Sequence, residues 1–320
     1  MLAYDLTIGN SPVNFDEDGI QGWCFGLPPG IMPEQWPLDR GNGYPLMHGF
    51  TLLLPPDYRV HGPDVVALSF FATPADFNDG GPAEIDEIVD MAESVDIPPE
   101  RTDLLSLWHT MSEQARDDKL FFMEDILGCR YAVRLLSQDE FDGPLCLPPD
   151  WLGQNGEGHP LNASLAPPGW LREPGSLLSW KAINASLPWA TVKGAPDPDQ
   201  AWLEGMGDEP NAGLYLNRSL RWTPRQQDPN AGIAVNDAEG RYQEHYYWLN
   251  DVIDTENYRL HPWSEGHQPN HIGGTMRPVQ AAPDFSPFYV EFEEDMGGYN
   301  FGGGNAQLDF KTMGFDWACG

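Results

Sequence analysis

The residues best suited to chemistry crowd into one short stretch, His261-Pro262-Trp263-Ser264-Glu265-Gly266-His267-Gln268-Pro269-Asn270-His271. Neutral imidazole is the commonest transition-metal ligand, and a carboxylate can complete a ligand set. Pro262, Gly266 and Pro269 exclude a helix, so the paired-histidine geometry of a zincin helix is not open to this segment. His261, Glu265, His267 and His271 are therefore candidates for a loop metal site, set against the competing reading that they cap and pack. The expectation is no bound metal and no cofactor. Two other loops, Asp76-Phe77-Asn78-Asp79-Gly80 and Asn236-Asp237-Ala238-Glu239-Gly240, place oxygen ligands beside glycine. Neither has the full calcium-loop spacing with its terminal glutamate, so both read as turns. The run from Gly297 to Gly304 lacks the Gly-Lys-Ser/Thr ending of a phosphate loop and reads as a bulged hairpin. No Gly-x-Ser-x-Gly elbow occurs, and no cysteine stands in a recognised nucleophile context. Carboxylate pairs for acid–base work cannot be chosen among 49 acidic residues without geometry.

Charge is the strongest compositional signal. Seventeen Lys and Arg stand against 49 Asp and Glu, for a net charge of −32. Such a surface repels nucleic acid and anionic lipid and attracts basic proteins and cations. Plain solubility is the competing explanation. The densest acidic face belongs to a predicted helix and carries Glu84, Asp86, Glu87, Asp90 and Glu93, which makes these five the candidate contacts for a basic protein partner.

The elements that would position these residues are mostly strands. Thirty-four glycines and 31 prolines break the chain into short apolar runs, the texture of a turn-rich β protein. Strands are expected at 49–54, 64–72, 131–136, 213–216, 246–249, 288–293 and 305–310, the last two as a hairpin across the glycine run. Two amphipathic helices are expected around residues 82–119. Pro82 would sit in the first turn of one, ahead of a stripe of Ile85, Ile88, Val89 and Ala92. Leu104, Leu107, Trp108, Met111 and Ala115 form the stripe of the other. Residues 143–210 are rich in Pro, Gly and Trp and are expected to be a packed connection. The resulting division is an N-terminal β-rich half with two helices (1–142), that connection (143–210) and a C-terminal β-rich half (211–320). Met1 to Asn10 shows neither a basic nor an apolar signal region, no segment approaches the roughly 20 apolar residues of a membrane span, and the four cysteines are scattered. A cytoplasmic protein that does not enter membranes is the expectation.

Several segments carry a family likeness. They are Pro33-Glu34-Gln35-Trp36-Pro37, Gly43-Tyr44-Pro45-Leu46-Met47, the strand ending at Phe70-Phe71, His271-Ile272-Gly273-Gly274, Pro278-Val279-Gln280 and Gly297-Gly298-Tyr299-Asn300-Phe301. Together they resemble the YwqG-like family of uncharacterised bacterial proteins. The resemblance implies an α+β, β-rich fold built from two related halves packed together. It also implies a setting beside bacterial toxin genes, and it brings no catalytic residues. In this chain His271 directly precedes Ile272, Pro278 lies further from the glycines than the family places it, and Met296-Gly297-Gly298 stands where the family has Trp-Gly-Asp.

Acid excess, missing catalytic motifs and the resemblance point to a binding protein rather than an enzyme. The specific expectation is an immunity protein that neutralises a cognate toxin by direct contact. The alternative is a hydrolase, or a glycan- or small-ligand-binding protein, that uses the Trp-rich loops and the histidine cluster.

Overall fold

The computed structural model describes residues 1–10, 13–15, 18–74, 82–146, 148–149, 168, 170, 217–245, 248–249, 252–253 and 260–320. The expected strand at 213–216, the loop from Asp76 to Gly80 and nearly all of the connection 143–210 lie outside these residues. Among the described residues no helix is long and apolar enough to cross a membrane.

Eleven strands form one antiparallel sheet that curls into a nearly closed barrel. In chain order they are β1 (Tyr4–Ile8), β2 (Gly22–Cys24), β3 (Met47–Leu53), β4 (Ala67–Ala72), β5 (Leu120–Glu124), β6 (Arg130–Leu136), β7 (Arg218–Pro224), β10 (His271–Ile272), β11 (Tyr289–Glu293), β12 (Asn305–Asp309) and β13 (Gly314–Ala318). β8 (Trp248–Leu249) and β9 (Val252–Ile253) pair separately. Around the barrel the order is β13-β12-β11-β10-β1-β7-β2-β3-β4-β6-β5. The β-rich expectation is met, and β11 and β12 do pair as a hairpin. β1 from the N-terminus lies between β10 and β7, and β7 carries the sheet across to β2.

Strand alternation fixes what faces inward. Phe50, Leu52, Leu68, Phe70, Tyr131, Val133, Leu220, Val290, Phe292, Ala306 and Leu308 fill the interior. Tyr299 and Phe301 join them from the glycine-rich turn, and Phe70 meets Phe50, Phe292 and Tyr299 at ring distances of 5.3, 5.3 and 5.5 Å. Each such aromatic pair adds about 0.5–1.5 kcal/mol beyond its buried area. Gly49 makes this packing possible, because a Cβ there would stand 1.6 Å from the Tyr299 hydroxyl. The two edge strands, β5 and β13, meet through side chains. Trp317 Nε1 donates to Asp125 Oδ2 at 2.6 Å, and Phe315 lies 4.1 Å from the Tyr131 ring.

The outer face differs between the two sides of the barrel. Strands β3, β4 and β6 are buried on both faces, with Thr51, Ser69 and Arg134 as a polar row within the outer one. Their outward side chains lie under Trp36, Leu46, Cys146 and Trp170 in one cluster and under Val13, Trp23 and Phe141 in another. Across β1 and β10–β12 the outward residues are polar, which is the source of the alternation in those strands.

The helices are α1 (Asp86–Glu93), α2 (Leu105–Arg116) and the short α3 (Gln138–Phe141). α1 starts four residues later than Pro82 suggests. Ile85 is extended and its amide bonds to Gly41 O at 2.9 Å, while Glu84 reaches the buried Arg130, so the chain is held straight through these positions. In α2 the stripe closes on Gln114 instead of Ala115. Gln114 is buried, accepts from Leu38 N at 3.2 Å and donates to Trp36 O at 2.8 Å. Ala115 is exposed.

Candidate functional site

The polar outer face of β1 and β10–β13 is in register. Asp5, His271, Glu291, Gln307 and Asp316 stand directly opposite one another on adjacent strands, and they form a row across the wall. This row gathers acid–base groups that are far apart in the chain. His271 is the one member of the predicted histidine set that enters it.

The environment of the row decides what it can do. His271 and Glu291 have no exposed surface. His271 Nδ1 lies 3.0 Å from Pro269 O, which can only accept, so that nitrogen carries the proton and Nε2 faces the Tyr289 hydroxyl at 3.4 Å. Burial and the nearby Arg225 hold His271 well below the usual histidine range, hence neutral. The Glu291 carboxyl receives Arg277 N at 3.0 Å, Asn305 Nδ2 at 3.3 Å and Gln307 Nε2 at 3.2 Å. These donors favour the anion, but loss of water outweighs them and pushes the group up to about 8. Beside the row, Arg225 is fully buried and binds Asp5 at 2.6 Å, Asp228 at 3.1 Å and Gln268 O at 2.9 Å. Asp228 in turn accepts from Thr275 N and Oγ1 at 3.0 and 2.8 Å. The row therefore clamps the segments 225–230 and 267–279 onto the sheet, and solute has no access to His271 or Glu291.

The remaining candidates for metal are spread out. His261 stacks on Trp263 at 5.1 Å, and His267 leans on the same ring at 6.1 Å and contacts Gln227 O at 3.2 Å. Glu265 is exposed. Among the described residues, no three His, Cys, Asp or Glu side chains converge to hold a metal ion. Proximity in sequence here does not become a shared centre, because β10 draws His271 into the sheet and leaves the others in the preceding turns.

The two glycine loops have internal occupants. Glu294 Oε1 accepts from Phe301 N at 2.5 Å and Gly303 N at 3.0 Å, so a carboxylate already sits where a phosphate would. Asp237 is bound by the Arg241 guanidinium at 2.7 Å and by its backbone amide at 3.0 Å, so a cation of the chain already occupies that loop.

The acidic face lies at the surface. Glu84, Asp86, Glu87, Asp90 and Glu93 are all exposed. Glu84 is committed to Arg130 and Glu87 to Arg101 at 2.7 Å. Asp86, Asp90 and Glu93 form no ion pair among the described residues. Ile88, Met91 and Ala92 anchor the opposite side of α1 against Leu38, Leu104, Leu107 and Met111, which fixes the direction in which the acids point.

Residues far apart in the chain also meet on the outer surface. A groove of about 650 Å³ lies outside the barrel, lined by Phe15, Ile20, Trp23, Leu53, Phe141 and Leu145 among others. The space inside the barrel near Tyr131, Tyr299 and Trp317 is only about 10 Å³, room for a water at most. Comparison with family models, with curated proteins and with solved structures yields no match for this chain.

Proposed function

We propose that this chain is a cytoplasmic binding protein that captures a basic protein partner, most specifically an immunity protein that neutralises a cognate bacterial toxin. The observation that carries the reading is the exposed, rigidly mounted face of Asp86, Asp90 and Glu93 on a chain of net charge −32. Acid of this kind steers a basic partner into encounter and sets its orientation. The groups that could do acid–base chemistry, His271 and Glu291, are meanwhile enclosed and hydrogen-bonded. The hydrolase or ligand-binding alternative draws less support, since one of its histidines, His271, is sealed in the sheet. The same reading takes the barrel as two related halves, 1–142 and 211–320, joined through 143–210. The contiguous runs β2–β6 and β10–β13 in the strand order support it, with β1 and β7 standing between them.

The test is co-purification with the product of a neighbouring toxin-like gene, followed by charge reversal at Asp86, Asp90 and Glu93. Loss of the complex on reversal is the expected result. A complex indifferent to it removes α1 as the contact, and the absence of any complex removes the immunity reading.

A further inference from the structure

The groove beside α3 pairs exposed apolar side chains, Phe15 and Leu145, with a polar border of Asp18, Gln138 and Asp142. Trp23 lies buried beneath it, with the indole N–H donated to Leu27 O at 3.0 Å, and holds the more exposed Phe15 in place. Phe15 meets Trp23 edge-on at 5.0 Å, and Phe141 leans on its other side at 5.7 Å. One wall is preformed. A capping box opens α3, with Ser137 N donating to Glu140 Oε2 at 2.7 Å and Glu140 N donating to Ser137 Oγ at 3.3 Å. The chain beyond is pinned by Gly30 N to Pro144 O at 3.0 Å and Cys146 N to Pro28 O at 2.9 Å. A partner would therefore spend little on ordering that wall.

Two properties identify the occupant. The first is charge. Among the described residues the lining holds two carboxylates, Asp18 and Asp142, and no Lys, Arg or His. The second is how the apolar surface ends. Phe15 is 42% and Leu145 37% exposed, so carbon surface continues out of the cavity over its lip. That shape suits a segment lying across the surface with side chains inserted, the helix-in-groove mode of recognition. The volume falls within the range of about 300–1,000 Å³ typical of ligand sites.

We infer that this groove receives the apolar face of a basic amphipathic segment of the partner protein, with the segment's cations beside Asp18 and Asp142. The inference rests on the basic-partner reading and adds a second contact, separate from α1, that supplies affinity where α1 supplies steering. Apolar anchors in a pocket carry most of an interface's energy, while rim charges act chiefly on encounter.

The probes are two synthetic amphipathic helical peptides that share one leucine face, one with lysines and the other with glutamates on the polar face. Binding of each labelled peptide is followed by fluorescence anisotropy. The proteins are the unaltered chain, Leu145→Asp, Phe15→Ala, and a chain reversed at Asp86, Asp90 and Glu93, each checked by circular dichroism. The expected result is that only the lysine peptide binds, about tenfold or more weaker to Leu145→Asp and to Phe15→Ala and nearly unchanged to the α1 variant. Equal binding of both peptides overturns the inference, as does lysine-peptide binding that ignores both groove substitutions. Binding lost only in the α1 variant overturns the groove while leaving the basic-partner reading intact. Binding of a phenylalkyl ammonium ion without the peptide replaces the proposal with a small-ligand site.

Discussion

Glu291 gives this fold a stability that falls as the solution becomes more alkaline. The carboxyl has an ordinary value of 4.5 and is pushed up to about 8 by complete burial. Below the ordinary value both folded and unfolded chains hold the proton, and Glu291 contributes no pH dependence. Between the two values the unfolded chain ionises while the folded chain does not, so stability is lost as pH rises toward the folded value. One unit is worth about 1.36 kcal/mol, so the whole interval amounts to about 5 kcal/mol. Buried histidines act with the opposite sign. His48 is driven down to about 3 and His245 to about 4, both by burial, and each costs stability as pH falls below the ordinary 6.5. Above 6.5 these histidines are neutral in both states, which isolates Glu291. From there to about 8 the expected loss is about 2 kcal/mol. Glu291→Gln keeps the side-chain shape and removes the titration. Urea unfolding followed by tryptophan fluorescence at several pH values should show the unaltered chain losing that amount relative to Glu291→Gln. Parallel curves for the two proteins across this window would refute the argument.

Three substitutions probe other joints. Arg130→Met leaves Asp39 buried without its cation, and a loss of about 3–5 kcal/mol is expected in denaturant unfolding, partly restored by adding Asp39→Asn. Gly49→Ala drives a methyl into the Tyr299 hydroxyl and should cost about 1–3 kcal/mol by the same assay, with Tyr299→Phe in the same chain recovering part of it. Asp125→Ala removes the acceptor shared by Trp317 Nε1 and Tyr131 Oη, at 2.6 and 2.8 Å, and should lower stability by about 1–3 kcal/mol. Hydrogen exchange should report the loosening first in β13.

The strands most legible in the sequence were those with strong local patterns. Ala67–Ala72 and Arg130–Leu136 are buried on both faces because loops cover the outside of that wall, and their many apolar residues stand out as runs. Tyr289–Glu293 and Asn305–Asp309 alternate because their outer face is polar. β1, β2 and β7 carry weaker patterns, and their place depends on partners far away in the chain, such as Tyr4 opposite Ile272. His271 illustrates the same limit. Its neighbours Pro269 and Asn270 read as loop, and only pairing with β11 sets it against Glu291 and buries it. In sequence Glu84 belongs to a helical face, but the demand of buried Arg130 for a carboxylate holds it outside the helix. Phe15, Trp23, Phe141 and Leu145 have no shared local pattern, so the groove exists only once the barrel has formed.

On the proposed reading, partner binding falls to the acidic surface, and the enclosed polar row serves to hold the fold together. The most direct measurement is isothermal titration of the purified chain with the purified product of a neighbouring toxin-like gene, at low and at high salt. The account predicts a stoichiometric complex that weakens as salt screens the exposed acids and weakens further on reversal of Asp86, Asp90 and Glu93. Binding that is indifferent to both salt and reversal would contradict it.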